Sequence, residues 1–156
     1  MTEKTFYITT PIYYVNDKPH IGHAYTCIAA DVLARHHRLK GENVFFLTGS
    51  DENSQKNIVA AEKAGYTDMD QYLGIQAAIW QQAWDGLNIS NNDFIRTTEE
   101  RHKKGVYKFF DLVNEKGDIY KGVYKGFYCN GCEAFVTQSD LMEGNLCPIH
   151  KKPVET

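Results

Sequence analysis

In the first half of the chain, short continuous apolar runs alternate with segments in which apolar residues recur at helical spacing. Residues 6–10 are β-branched and aromatic and are followed by Pro11, which predicts a short buried strand. Apolar residues recur at helical spacing over 21–40, and Gly41 is expected to end that helix. The nearly continuous apolar run 43–48 predicts a parallel strand covered on both faces. Strand, helix and strand form a βαβ unit, so we expect an α/β fold with a parallel sheet.

Three further helices and one strand follow in the sequence. Residues 53–64 and 69–85 have helical periodicity, and each run ends before a glycine. Residues 93–96 are a candidate third strand, after which Thr98 is expected to cap a helix that ends at Gly117. The apolar stripes of the first and last helices consist of Ala24, Tyr25, Ile28, Ala29, Val32, Leu33 and Leu39, and of Val106, Phe109, Phe110 and Val113.

The pattern changes after Gly117. Residues 118–128 alternate like a β-strand, which predicts a strand or hairpin leading out of the α/β part. We therefore place a domain boundary there, with 1–117 as one domain and 118–156 as the next. A sheet of about three strands is short for an α/β domain, and the tail 151–156 has no core residues. We expect the chain to be part of a longer protein.

Composition and charge narrow the possible classes. The chain has 156 residues, an ordinary hydrophobic content of 42% and a net charge of −3, which argues against wrapping nucleic acid through a general basic surface. We see neither an apolar leader nor a membrane-length segment, so we expect no signal peptide and no membrane partner. Three of the four cysteines lie near one histidine, which indicates metal chemistry in a reducing compartment and hence a cytoplasmic location.

Two short motifs near the C-terminus have the spacing of a structural zinc site. Cys129 and Cys132 form a CxxC turn, and Cys147 and His150 form a second pair about a dozen residues later. Three thiolates and one imidazole would fill a tetrahedral shell and leave no position for water, so we expect a structural Zn²⁺. The alternative is a set of ordinary cysteines with an incidental histidine. Cys27, inside the first helix, is expected to be a small core residue.

A phosphate site is predicted where the first strand turns into the first helix, within residues 10–23. A helix N-terminus has unpaired N–H groups and a positive dipole end, which favour anions. His20 and His23 project from the same side of the first turn, and Gly22 removes a side chain where a flat ring or a phosphate could approach the backbone. The alternative is a pair of capping or core histidines.

Asp51 follows the second strand and is expected to face the same crevice, because ligands of open α/β sheets bind at the carboxyl edge of the strands. The alternative is that Asp51 caps the helix that starts near Asn53. Tyr13 and Tyr14 point to opposite faces of a strand, so only one of them can face the crevice.

Several motifs in the same order resemble one family. Residues 20–23 resemble the HIGH signature of the class I aminoacyl-tRNA synthetases. Residues 10–16, 46–52 and 120–129 are further similar to the bacterial methionyl-tRNA synthetases, so the likeness covers essentially the whole chain. This resemblance implies the first half of a Rossmann-type catalytic domain, interrupted after residue 117 by a connective-peptide insertion that carries the zinc knuckle.

The resemblance also implies roles for individual residues. It implies contacts with ATP, accompanied by Mg²⁺, for Thr10, His20, Gly22 and His23. It implies contacts with L-methionine for Ile12, Tyr14 and Asp51. By the family's pattern His20 and His23 are also the catalytic pair, which stabilises charge at the α-phosphate while methionyl-adenylate forms. Methionine is then transferred to tRNA(Met).

The chain departs from the family in one place and lacks some of its parts. Where the family commonly has His-Gly after the acidic pair, this chain has Asn53-Ser54. The family's KMSKS loop and anticodon-binding domain would lie beyond residue 156, so we expect the chain to be monomeric and inactive, or very weakly active, by itself. The alternative functions are a small HIGH-type nucleotidyltransferase and a zinc-containing RNA-binding module.

Overall fold

A computed structural model describes residues 4–155 of the chain. The helices and strands are β1 (Thr5–Thr9), β2 (Tyr13–Tyr14), α1 (Ile21–Leu39), β3 (Asn43–Asp51), α2 (Gln55–Lys63), α3 (Met69–Gly86), β4 (Asp93–Arg96), α4 (Glu100–Glu115), β5 (Phe127–Cys129) and β6 (Ala134–Val136). The chain divides into two compact units, and the boundary between them lies after Leu112, inside α4. Across the described residues, no helix is both long and apolar enough to cross a membrane.

The first unit contains a parallel sheet around β3. Strand β1 pairs with the first half of β3, with Thr5 opposite Asn43, and β4 pairs with its second half. The short strand β2 pairs with the end of β3, with Tyr14 opposite Asp51. The predicted α/β fold with a parallel βαβ unit is therefore confirmed. The first strand stops before Pro11 as expected, and Tyr13 and Tyr14 have the strand conformation expected of them, as the short strand β2.

Only one face of β3 is covered along its first half. Val44 and Phe46 are buried, whereas Phe45 between them is 46% exposed. Tyr7 of β1 lies beside Phe45, with ring centroids 6.0 Å apart, and is also exposed. The prediction that both strands are fully buried is wrong here. The described residues pack against one face of these strands, so the side chains alternate between core and solvent.

Helix α1 has the predicted bounds but buries an unexpected face. Gly41 follows it in the left-handed region, with φ of +75°, as expected of a glycine that ends a helix. The buried residues are Cys27, Ala30, Asp31 and Ala34, while Tyr25 of the predicted apolar stripe is 76% exposed. Small side chains let the helix lie close to the sheet, so the larger apolar residues of the stripe remain outside. The prediction that Cys27 is a core residue is confirmed.

Helices α2 and α3 lie within two residues of their predicted bounds. Ser54 caps α2 by accepting the N–H of Lys56, and Asp68 caps α3 by accepting the N–H of Gln71. Gly86 is the last residue of α3 rather than the residue after it. Trp80 and Trp84, on α3, are among the largest side chains of the core.

Helix α4 ends as predicted but starts differently. Thr98 does not cap it, because its hydroxyl donates to the Glu52 carboxylate, and the helix begins at Glu100. None of the residues of α4 is buried, and Phe109 of its apolar stripe is 71% exposed. The amphipathic pattern is present, yet no described residue covers it. Gly117, with φ of +76°, follows the helix.

The second unit begins in the last turn of α4 and contains a short hairpin, followed by a 3₁₀ turn at Gln138–Asp140. Strands β5 and β6 are antiparallel, with Phe127 opposite Val136. Residues 118–126 form no strand, which corrects the longer strand predicted there. Alternation alone cannot hold a strand without a neighbour to bond, and the described residues offer one only from 127 onward. Within 113–155, the buried residues are Cys129 and Cys147.

Candidate active site and metal centre

The two histidines of the predicted phosphate site form a capping box at the start of α1. The Nδ1 atom of His20 accepts the backbone N–H of Gly22 at 3.1 Å, and the N–H of His20 donates to Nδ1 of His23 at 3.2 Å. The two imidazoles stack with centroids 3.7 Å apart. The capping alternative therefore describes part of their role, and the same bonds also determine which nitrogens remain available.

Because each Nδ1 accepts a hydrogen bond, the neutral rings of His20 and His23 carry their proton on Nε2. Burial, and secondly the neighbouring imidazole of His20, lower the pKa of His23 below its usual value. At neutral pH this ring is an uncharged hydrogen-bond donor. The pair can thus offer two Nε2–H groups to acceptor oxygens on one ligand.

A ring of the protein itself lies against Gly22, and the approach of a ligand to this backbone stays a prediction. A methyl group at Gly22 would lie 2.9 Å from Cε1 of His20, too close for carbon atoms in contact. The ring that requires the glycine is thus the imidazole of His20 itself. Any larger residue would displace that imidazole and open the capping box.

A crevice of about 570 Å³ brings most of the predicted site together. The predicted residues that line it are Ile12, Tyr14, His20, His23 and Asp51. They come from β2 and the segments on either side of it, from the start of α1 and from the end of β3. This arrangement matches the expectation that the carboxyl edge of a parallel sheet gathers ligand-binding residues.

Thr10 and Gly22 are not among the residues that line this crevice. The hydroxyl of Thr10 is buried, donates to the carbonyl of Pro11 at 2.9 Å and shares a 2.7 Å hydrogen bond with the hydroxyl of Thr48. The structure therefore places the Thr10 side chain in the packing between β1 and β3. Its contact with ATP stays a prediction.

Asp51 ends β3 and turns its carboxylate into the following loop. Its Oδ1 atom accepts the N–H of Asn53 at 3.0 Å, whereas Ser54 caps α2. The alternative that Asp51 is a helix cap is therefore wrong. The Asn53-Ser54 pair, where the family commonly has His-Gly, supplies one hydrogen bond to Asp51 and one to the helix.

An ion pair between the buried Glu52 and the partly exposed Arg96 holds the chain next to Asp51. The carboxylate of Glu52 accepts Arg96 Nε at 2.7 Å and Nη2 at 3.1 Å, and also accepts the hydroxyl of Ser50 at 2.9 Å. The backbone N–H of Glu52 donates to the hydroxyl of Thr97 at 2.9 Å. The ends of β3 and β4 are thereby connected through one carboxylate, which positions the residue before it.

Both tyrosines line the crevice, so the prediction that only one of them can face it is wrong. Tyr13 is buried, its hydroxyl lies 3.6 Å from Cys27 Sγ, and its ring centroid lies 4.8 Å from that of His23. Burial, followed by the neighbouring Cys27, raises the pKa of Tyr13 to about 12. Tyr14 is half-buried, with Lys56 Nζ 5.1 Å from its ring centroid. Tyr13 thus forms the back wall and Tyr14 the more open side.

Outside the predicted segment 10–23 and Asp51, two further residues line the crevice, and sequence reasoning missed both. Lys56, in the first turn of α2, adds a cation across from Asp51, and its position just after the strand edge could have indicated this. Trp80 reaches the crevice from α3, and no local signal in the sequence connects it with His23.

The predicted metal ligands form one cluster in the second unit. The ligand atoms of Cys129, Cys132, Cys147 and His150 all lie within 4.8 Å of one another. Cys132 Sγ lies 3.6 Å from Cys147 Sγ, and His150 Nδ1 lies 3.8 Å from Cys129 Sγ. A tetrahedral ion with sulfur ligands at 2.3 Å separates its ligand atoms by about 3.8 Å. The three cysteines of the cluster are free thiols, so the cluster fits a metal ion of that geometry.

Two further features of the cluster suit a metal. A methyl group at Gly131 would lie 2.7 Å from Cγ of His150, so only glycine lets this imidazole approach the CxxC turn. The backbone N–H of His150 donates to Cys147 Sγ at 3.5 Å and lowers the pKa of that thiol. Because thiolates rather than thiols bind metals, the lowered pKa favours metal binding at Cys147, whereas burial and the neighbouring Cys147 and Cys129 raise the pKa of the Cys132 thiol to about 11.

Comparisons with known proteins agree with this geometry. A family model described as tRNA synthetases class I (M) matches residues 6–155. The methionine–tRNA ligases of Streptomyces coelicolor and Thermotoga maritima are each 49% identical to the chain, over 97% and 96% of it. A structure of Mycobacterium tuberculosis methionyl-tRNA synthetase in complex with methionyl-adenylate superposes on 97% of the chain, with a TM-score of 0.88 and 37% identity.

The chain spans only part of these proteins, covering 30% of the Streptomyces relative, 24% of the Thermotoga relative and 30% of the Mycobacterium structure. The match is nevertheless continuous from β1 to the end of the metal cluster. The chain belongs to the class I tRNA synthetases (M).

Proposed function

We propose that this chain forms the first part of a methionine–tRNA ligase, which uses ATP to activate L-methionine and then transfers it to tRNA(Met). One observation carries the proposal. Two imidazoles with free Nε2–H donors and one carboxylate, Asp51, line the same crevice at the carboxyl edge of a parallel sheet. Relatives of this chain carry the same name, and one neighbouring structure contains methionyl-adenylate.

On the nucleotide side, His20 and His23 donate their Nε2–H groups to phosphate oxygens of ATP, which enters with Mg²⁺. Gly22 keeps the first turn of α1 free of a side chain, so the nucleotide can approach its backbone. Thr10 completes the proposed ATP contacts. Both imidazoles are held by backbone hydrogen bonds before the ligand arrives, so little reorganisation is needed as charge develops.

On the amino-acid side, Asp51 accepts the ammonium group of methionine. Ile12 and Tyr14 flank this carboxylate in the crevice and would contact the methionine side chain. An ammonium and a carboxylate form a strong charge-assisted hydrogen bond, whereas the thioether needs mainly apolar contact. The pocket thereby binds both ends of the amino acid beside the ATP.

The chemical step forms one bond and breaks another. A carboxylate oxygen of methionine attacks the α-phosphorus of ATP, the bond from that phosphorus to the bridging oxygen breaks, and pyrophosphate leaves with the electron pair. No covalent intermediate with the protein is needed. His20 and His23 stabilise the negative charge at the α-phosphate, so catalysis consists of positioning and electrostatic stabilisation.

The second unit supplies a structural ion rather than chemistry. With Cys129, Cys132, Cys147 and His150 as ligands, a Zn²⁺ ion would have a closed shell with no position for substrate. We place this site in a connective-peptide insertion that spans 118–156, after a first catalytic half that spans 1–117.

The remaining assignments concern the environment of the protein. A cytoplasmic location agrees with four free thiols, because reducing compartments keep cysteines unpaired. We expect the chain by itself to be monomeric and to have little or no activity, with tRNA(Met) bound by the synthetase-length protein.

Methionine-dependent exchange of pyrophosphate into ATP, measured on the synthetase-length protein, tests the proposal. Asp51→Ala should raise the KM for methionine on the order of 10- to 100-fold, because a charge-assisted hydrogen bond is lost, and should change the KM for ATP far less. Asp111→Ala is the control, since Asp111 is an exposed carboxylate of α4 outside the crevice and its loss should leave both constants unchanged. An unchanged KM for methionine in Asp51→Ala would refute the assignment.

A further inference from the structure

Trp80 makes contacts that core packing does not require. Its side chain is 1% exposed, and its indole Nε1–H donates to the backbone carbonyl of Asp17 at 3.0 Å. Asp17 lies in the loop between β2 and α1, which leads directly to His20. One buried side chain of α3 therefore holds the loop that determines where α1 begins.

The indole ring also supports an imidazole. Its centroid lies 4.8 Å from that of His23 and 5.3 Å from that of Tyr13, against which it stacks. The ring of Tyr13 itself lies 4.8 Å from His23. His23 is thus bordered by two buried aromatic rings and by the imidazole of His20, which leave little room for a second orientation.

Trp84 provides an internal comparison. It lies one turn further along α3 and is equally buried, and its ring contacts Trp80 and Tyr13. Its indole nitrogen has no hydrogen-bond partner within residues 4–155, and it makes none of the described ring contacts with His23. Filling the core accounts for Trp84, whereas Trp80 adds a hydrogen bond to the loop and a wall to the crevice.

We propose that Trp80 is a positioning residue for His23, acting through its hydrogen bond to the Asp17 carbonyl and its ring contact with the imidazole. This inference rests on the proposed function, in which His23 donates to a phosphate. While Trp80 holds the loop, the backbone N–H of His20 keeps donating to Nδ1 of His23, so the ring proton of His23 stays on Nε2. Without the hydrogen bond from Trp80, the capping box opens part of the time, and the ring proton of His23 distributes over Nδ1 and Nε2.

The comparison of Trp80→Phe with Trp84→Phe tests this inference in the 156-residue chain. Both substitutions remove an indole N–H and the same volume from the same helix. Long-range ¹H–¹⁵N NMR spectra of the histidine rings report the tautomer directly. We expect wild type and Trp84→Phe to show one tautomer of His23, protonated at Nε2, and Trp80→Phe to show a mixture. An unchanged tautomer in Trp80→Phe, or the same change in both variants, would overturn the inference.

Titration of the synthetase-length protein with MgATP, for wild type and the same two variants, separates this inference from the function on which it rests. Trp80→Phe should weaken binding about 5-fold relative to Trp84→Phe, as expected for the loss of one net hydrogen bond. If the wild-type synthetase-length protein does not bind MgATP, the nucleotide assignment fails. The tautomer comparison still decides whether Trp80 positions His23.

Discussion

The two units of this chain bury different kinds of side chain. The first contains a core of aromatic and aliphatic residues, among which Phe46, Trp80 and Trp84 are almost completely inaccessible to solvent. In the described part of the second unit, 113–155, the buried residues are Cys129 and Cys147. The groups that fill the interior of the second unit are thus the predicted ligands of a metal.

This difference separates two ways of stabilising a fold. Burying a large apolar side chain contributes about 1.5–3 kcal/mol, and the first unit has many such side chains. A unit as small as the second buries too little surface to stay folded by this means and usually needs a cross-link or a metal. Polar groups accordingly line the edge of the first unit, where they can bind ligands, but form the centre of the second.

Loss of a metal ligand is expected to have the largest effect. Cys147→Ser removes a buried thiolate from the cluster, and a structural zinc ion contributes on the order of 10 kcal/mol to the folding of a small domain. In an NMR spectrum, signals from 127–155 should collapse to unfolded positions, while those of the first unit stay dispersed.

Zinc content provides the control for this variant. Wild type and Cys27→Ala, which removes the buried thiol of the first unit, should each bind about one zinc ion per chain. A dispersed second unit in Cys147→Ser with no bound metal would show that apolar burial suffices there.

The reverse experiment weakens the first unit alone. Phe46→Ala should lower its free energy of unfolding by about 3–5 kcal/mol, because a fully buried ring leaves a cavity in the core. Both tryptophans of the sequence lie in this unit, so urea unfolding followed by tryptophan fluorescence measures it selectively.

Phe45→Ala is the matched control for Phe46→Ala. It changes the next residue of β3, whose ring points to the uncovered face, and should cost about 1 kcal/mol or less. Similar losses in the two variants would mean that both faces of β3 are buried in solution. Zinc content should stay unchanged in both.

A smaller effect is expected from the ion pair beside Asp51. Glu52→Gln removes the negative charge that two nitrogens of Arg96 contact, which should cost about 2 kcal/mol in urea unfolding because Glu52 is buried and Arg96 is only partly exposed. The exposed pair formed by Glu100 and Lys103 serves as control, and Glu100→Gln should change stability by less than about 0.5 kcal/mol. Equal effects would contradict a structural role for the buried pair.

The smallest effect concerns acid stability. Burial alone would raise the pKa of Asp31, but hydrogen bonds from Ser90 and the neighbouring Arg35 together lower it below its usual value. A carboxyl whose pKa is lowered by folding contributes stability above its unfolded pKa, so this contribution is lost as pH falls below about 4.

Thermal unfolding at a series of pH values between about 6 and 3 checks this sign. Asp31→Asn should flatten the acid limb of the profile for the first unit, whereas Asp111→Asn, an exposed residue of α4, should not. An acid limb that is as steep in Asp31→Asn as in wild type would assign the loss to other carboxyls.

Much of the fold and the site followed from short-range patterns. Helix α1 starts at the residue after His20 and ends before Gly41 as predicted, because a cap and a left-handed glycine act within one turn. The metal cluster followed from the spacing of Cys129, Cys132, Cys147 and His150 for the same reason. The order of strand, helix and strand was enough to predict a parallel sheet.

Other predictions failed where a distant partner decides the outcome. Thr98 has the sequence context of a helix cap, but the buried Glu52 binds its hydroxyl instead. Tyr25 has helical spacing with other apolar residues, but the sheet selects the smaller face that includes Ala30 and Ala34. Residues 118–126 alternate like a strand but have no described strand beside them.

The sequence by itself determined the chemistry of this protein: which imidazoles, thiols and carboxylate are present, and which of them share a turn. Local spacing suffices for that, because caps and CxxC turns close within a few residues. Only the tertiary structure decided that Trp80 contacts the loop before His20 and that one face of β3 stays open. Such contacts depend on how helices pack across a sheet, and no short stretch of sequence records that packing. The histidines were predicted from the sequence, whereas the aromatic wall behind them appeared only in the fold.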